Sequence, residues 1–204
     1  MRKIRDGEAT KETVIAEAKK VFAKNGFKGT SLALISENCG ISDGLILHHF
    51  KSKKNLYHVI LADLAREYAE RISRAGQNAR NPEQAALAML RAVIEFWGED
   101  MVYARMSLWA YLENQTELID EEVKLTASLA ATIQHLQAQG KVDAYFSPFV
   151  LLSMTIGTIH FWKSHQELFQ EALHRDNMME ELNKTFLEQY PRLIQKVYQT
   201  GADE

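Results

Sequence analysis

Thr30-Ser31-Leu32-Ala33-Leu34-Ile35-Ser36-Glu37-Asn38-Cys39-Gly40-Ile41-Ser42 is the stretch that decides the fold. Thr30 suits the start of a short helix running through Asn38, with Leu32 and Ile35 inward. Cys39-Gly40-Ile41 then turns the chain, and Gly40 supplies the left-handed conformation that a tight interhelical turn needs. Ile41 plugs the angle between two helices, and Ser42 caps the next, expected from Asp43 to about His49. Two short helices joined in this way read as a helix-turn-helix.

Outward from this motif the chain reads as helix nearly throughout. On its N-terminal side, Ile15, Ala18 and Phe22, backed by Val14 and Val21, follow the spacing of a helix with one buried face, which Asn25-Gly26 ends. On its C-terminal side, Ser52 caps a fourth helix from Lys53 to about Ala75. A fifth opens at Pro82 and runs to about Trp97, where Gly98 breaks it. Asp100 caps a sixth to about Glu113, and Thr116 opens a seventh ending near Gly140. Ser147-Pro148 starts an eighth, expected to continue to about His174. A ninth from Asp176 to Gln199 carries Pro191, expected to kink or divide it. No repeat or strand-like alternation is present, so the fold class is all-α, with about nine helices.

Composition sets the frame. The 204 residues are 46% hydrophobic and 25% charged, as in ordinary globular proteins. The single cysteine, Cys39, excludes an intramolecular disulfide and suits a reducing cytoplasm. Met1 to Arg5 is basic, but Asp6 to Glu12 is polar, so no signal peptide is expected. The uncharged stretch Ala144 to Trp162 is interrupted by Ser147, Pro148, Ser153, Thr155, Thr158 and His160, which favours a buried helix over a membrane span. The net charge of −3 is uneven: Met1 to Ile60 holds 11 Lys plus Arg against 6 Asp plus Glu, and the remainder is acidic. A basic first quarter suits an encounter with a polyanion.

The first 56 residues resemble the TetR family of transcriptional regulators. The resemblance is carried, in order and without a gap, by Phe22, Gly26, Thr30-Ser31, Ile35-Ser36, Cys39-Gly40-Ile41-Ser42, Gly44, Ile46, His49-Phe50, Ser52-Lys53 and Leu56. It implies a DNA-binding domain over 1–55 and a ligand-binding and dimerisation domain over 56–204. It further implies a homodimer that binds a palindromic double-stranded DNA operator and releases it on binding a small apolar or aromatic effector. The residues that would face DNA are Lys28, Thr30, Ser31, Ser42, Asp43, Gly44, Leu45, Leu47, His48, His49 and Lys53. Lys51, Lys54 and the arm Arg2, Lys3 and Arg5 would add phosphate attraction. His49 is expected to be structural beside Phe50, and His48 the better DNA contact. Three departures bear on the operator. Leu47 replaces the family's tyrosine, Leu45 stands where a small hydroxyl residue is common, and Asp43 sits where phosphates approach.

Beyond Leu56 the resemblance is one of architecture only. Phe96, Trp97, Met101, Met106, Trp109, Met154, Phe161 and Trp162 form a dense apolar set, in part ordinary core and in part candidate lining of an effector pocket between the fifth and eighth helices. Glu95, Glu113, His135 and His160 are its candidate polar groups. Ser153, Gly157 and Thr158 make a small-residue stripe on the eighth helix, expected at the dimer interface. No catalytic residues, cofactor or metal site are expected: no Ser-His-Asp order, glycine-rich phosphate loop or His-x-x-x-His pair occurs. A helical binding protein without DNA activity is the competing class.

Overall fold

The computed structural model describes residues 2–99, 101–115, 119–173 and 179–199, with the side chains of all of these except 2–6, 173, 179 and 197–199. Among them are ten α-helices and no strand: α1 Arg2–Asn25, α2 Leu32–Cys39, α3 Asp43–Phe50, α4 Lys53–Gln77, α5 Pro82–Glu99, α6 Val102–Leu112, α7 Asp120–Ala138, α8 Pro148–Ser164, α9 Gln166–Leu173 and α10 Met179–Gln199. The capping expected at Asp100 and Thr116, the start at Asp176 and the side chains of Arg2, Lys3 and Arg5 lie outside the described residues.

One expected helix divides. The eighth stops at Ser164, and His165 begins a new turn before α9. The Ser164 hydroxyl donates to the carbonyl of His160 (2.8 Å), and the His165 ring lies 3.0 Å from the carbonyl of Phe161. Polar side chains thus compete for the carbonyls that a continuing helix would use. Pro191, in contrast, does not divide α10.

The chain forms two compact units, Met1–Glu67 with Asp100–Glu121, and Tyr68–Glu99 with Glu122–Glu204. This division does not coincide with a cut after residue 55. The first half of α4 and all of α6 belong with the N-terminal helices, and the reason is packing. Val14, Ala18, Val21 and Phe22 of α1 bury against Ile35 of α2, Ile46 and Phe50 of α3, and Leu56, Tyr57 and Ile60 of α4. α6 joins this core through buried Tyr103, Ala104, Met106 and Ala110. In the second unit α5 packs on α8 and α10. Tyr68 lies against Phe96 and Trp97, and Trp162 stacks on Phe186 at 4.6 Å.

Candidate nucleic-acid interface

The turn between α2 and α3 follows its chemistry. Ser31 caps α2, its hydroxyl accepting from the Leu34 amide, and Gly40 at φ 67° closes it. Ser42 caps α3 in the same way through the Leu45 amide. At the far end Lys51 adopts φ 66°, after which the Ser52 hydroxyl accepts from the Asn55 amide at 3.0 Å. The Asn55 side chain donates back to the carbonyl of Phe50 at 2.9 Å. α3 is therefore pinned at both ends by polar caps and held from below by Ile46 and Phe50, both buried.

This anchoring leaves one face of α3 open. Ser42, Asp43, Gly44, Leu45, Leu47 and His48 are all exposed, and a Cβ added at Gly44 would meet nothing within 4 Å. Leu45 and Leu47 are 41% and 39% exposed, so that two apolar side chains stand on this open face. Lys28 and Ser31 are also exposed. His49 is half-buried, its ring edge-on to those of His48 and Phe50.

Two residues with expected DNA contacts are committed inward. Thr30 is 2% exposed, and its hydroxyl donates to the carbonyl of Gly26 at 2.7 Å. The Lys53 ammonium donates to the carbonyls of Phe27 (2.8 Å) and Thr30 (2.7 Å) and sits 4.2 Å from the centre of the Phe27 ring. Both hold the α1–α2 turn in place, since buried carbonyls must find a donor.

The same turn is gripped from α6. The Glu113 carboxylate, nearly buried, accepts from the amides of Phe27 (2.7 Å) and Lys28 (3.1 Å). Arg105 donates through Nε to the carbonyl of Ala23 at 2.8 Å. Tyr57 donates its hydroxyl to the carbonyl of Met106 at 2.8 Å. Burial, aided by the negative charge of Glu113, pushes the Tyr57 phenol up to about 12, so it stays protonated and able to donate. Glu113 was a candidate pocket group by sequence; its partners are backbone amides 85 and 86 residues away, a pairing no local pattern announces.

The expected effector residues do not gather at one place. Met101, Met106 and Trp109 belong to the first unit, where Met106 is fully buried and Trp109 packs at Gly26. In the second unit Phe96 and Trp97 are buried core, Met154 and Phe161 are each 54% exposed, and Trp162 donates to Asn183 Oδ1 at 3.1 Å. Of the polar candidates there, Glu95 and His135 are exposed, while His160 faces Trp97 with ring centres 4.9 Å apart. The second unit has instead a cavity of about 130 Å³ between α5, α7, α8 and α10, and none of the eight lines it. Its aliphatic walls read in sequence as ordinary core.

On α8, Ser153, Gly157 and Thr158 are exposed, together with Val150, Met154 and Phe161. The Ser153 and Thr158 hydroxyls fold back onto the carbonyls of Phe149 and Met154, both at 2.8 Å. Their polar atoms are thus turned onto the helix. Among the described residues no group of three His, Cys, Asp or Glu side chains is placed to hold a metal ion, and no helix is long and apolar enough to cross a membrane.

Comparison with known proteins accounts for this arrangement. The family model for bacterial regulatory proteins of the tetR family matches residues 14–60, and the model for the tetracyclin repressor-like C-terminal domain matches residues 90–189. The HTH-type transcriptional regulator TtgR of Pseudomonas putida is 24% identical over 173 residues, covering 77% of this chain and 81% of TtgR. In fold the chain is similar to SCO4942 of Streptomyces coelicolor, with a TM-score of 0.68 at 18% identity over 89% of this chain and 96% of that one. It is also similar to FadR of Bacillus subtilis, solved in complex with stearoyl-CoA, with a TM-score of 0.62 at 16% identity over 87% and 95% of the two chains. The chain belongs to the TetR family and is a DNA-binding transcriptional regulator.

Proposed function

We propose that this protein is a cytoplasmic repressor without catalytic activity, which binds a palindromic operator as a homodimer and leaves it when a small apolar effector binds. The observation that carries the reading is the open face of α3, opposite its buried Ile46 and Phe50. Ser42, Asp43, Gly44, Leu45, Leu47 and His48 enter the major groove, while Lys28 and the exposed Ser31 meet phosphates. Leu45 and Leu47 offer thymine methyls an apolar contact, and Asp43 a carboxylate to a cytosine amino group. Thr30, His49 and Lys53 act through the positions they give to others. Residues 1–55 supply DNA recognition and 56–204 supply the effector site and the dimer contact, the latter through the Ser153, Gly157 and Thr158 face of α8. The stearoyl-CoA bound by the similar FadR supports a small-molecule effector.

Footprinting on the DNA that flanks the protein's own gene tests this. Two protected half-sites are expected, one helical turn or a multiple of it apart. Affinity should fall about a thousandfold or more between about 50 and 200 mM salt. An absence of protection, or affinity indifferent to salt, would leave a helical binding protein without DNA activity as the better reading.

A further inference from the structure

The cavity in the second unit is more selective than its size suggests. Its walls are Ala86, Leu87, Leu90, Val93, Ile133 and Ile156 with further aliphatic neighbours from α7, α8 and α10, and among the described residues no aromatic ring lines it. The two threonines that reach it turn their polar atoms away: Thr132 donates to the carbonyl of Ser128 at 3.0 Å, and Thr155 to that of Leu151 at 2.8 Å. The interior therefore presents methyl and methylene groups and no hydroxyl directed at a ligand. A polar group on a ligand would be stranded there.

Polarity is confined to one edge, built from three elements. Lys141, after α7, donates to Glu83 Oε2 on α5 at 3.1 Å, and Gln195 of α10 donates to Glu83 Oε1 at 3.0 Å. Each Glu83 oxygen thus accepts one hydrogen bond, and the Lys141 ammonium balances its charge. The Lys141 ammonium has three N–H groups and gives one to Glu83, so the edge has donors to spare. A ligand that matches this cavity is apolar and aliphatic over its length and carries an anionic acceptor at one end.

Size sets the length. The volume of about 130 Å³ is close to the roughly 150 Å³ of an engineered apolar cavity that holds benzene, which corresponds to a chain of about four to eight carbons. We infer that this cavity binds a short aliphatic carboxylate, its chain among the aliphatic walls and its carboxylate on Lys141. The inference rests on the effector reading above and narrows it to a short carboxylate.

The test uses the full-length protein and calorimetric titration with butanoate, hexanoate, octanoate, hexadecanoate, hexan-1-ol and hexylamine. Hexanoate or octanoate should bind best, with hexadecanoate and hexylamine each at least tenfold weaker. Lys141→Met should weaken hexanoate about tenfold or more and leave hexan-1-ol unchanged. Ala86→Phe, which fills the cavity, should remove both while the far-UV circular dichroism stays native. Hexanoate that fails to bind, hexylamine that binds as well, or a Lys141→Met variant with wild-type hexanoate affinity each overturns the inference. Operator release is measured separately. Hexanoate that binds in this pattern without releasing DNA supports the site and sinks the induction reading; a normal footprint with no hexanoate binding sinks the site and supports the DNA-binding reading.

Discussion

Gly44 stands in the first turn of α3 with open space where a side chain would be. Nothing in the fold requires glycine there, whereas a backbone lying close to a duplex does. Gly44→Arg should therefore abolish operator binding in a gel-shift assay while leaving the circular dichroism and the thermal unfolding midpoint unchanged; a variant that binds like the wild type would mean that α3 does not approach the DNA. A second single residue sets a pH dependence. His160 packs on Trp97, and burial lowers its pKa below the ordinary 6.5, favouring the neutral ring in the folded state. As pH falls through about 6.5 the unfolded chain takes up the proton first, so the stability tied to the neutral ring is present above that pH and lost below it. Urea midpoints measured from pH 7.5 to 5 should fall less steeply for His160→Gln than for the wild type, and parallel slopes would count against this role.

α6 departs furthest from what its sequence predicts. Its apolar residues suggested a pocket wall, yet its C-terminal end serves as a polar clamp on the turn that leads into α2. The Glu113 carboxylate on the Phe27 and Lys28 amides is a charge-assisted pair of bonds in a nearly buried site. Glu113→Ala leaves two amides without their acceptor and should cost about 1.5–3 kcal/mol in denaturant unfolding. Gly26→Ala should be costly for a related reason. Gly26 has φ 73°, and its added Cβ would lie 2.8 Å from Glu113 Oε1 and 2.9 Å from Trp109 Cδ2. A Glu113→Ala variant as stable as the wild type would show that water replaces the carboxylate at no cost.

Across the whole molecule, the exposed apolar face of α8 asks for a partner. Val150, Met154, Gly157 and Phe161 recur at helical spacing, and the three side chains among them are each about half exposed (48%, 54% and 54%). A face of this kind on a monomer invites association, and a second copy can cover it symmetrically. The paired change Met154→Asp and Phe161→Asp places charges on that face and should give a monomer by sedimentation at micromolar concentration, with operator affinity lost alongside. A dimer that survives both charges would place the interface elsewhere.

The sequence by itself determined the all-helical class, most helix ends to within a few residues and the helix-turn-helix, although Ser31 rather than Thr30 caps α2 and α5 runs through Gly98 to Glu99. These depend on residues three or four apart: Ser42 reaching the Leu45 amide, Gly40 closing α2, and Val14, Ala18 and Phe22 sharing one face. Capping and periodicity are local physics and leave local signatures. Tertiary structure alone decided which helices form a unit and what each polar side chain serves. Thr30 and Lys53 match the family's order equally well whether they point out to phosphate or in to a carbonyl, and only the packing of Phe27 and Gly26 beneath them turns them inward. Glu113 and the Lys141–Glu83–Gln195 edge join residues from 58 to 112 positions apart. The cavity is the clearest case. Aliphatic side chains that fill a core and aliphatic side chains that fall short of meeting are spelled alike, and only their packing distinguishes a wall from a void.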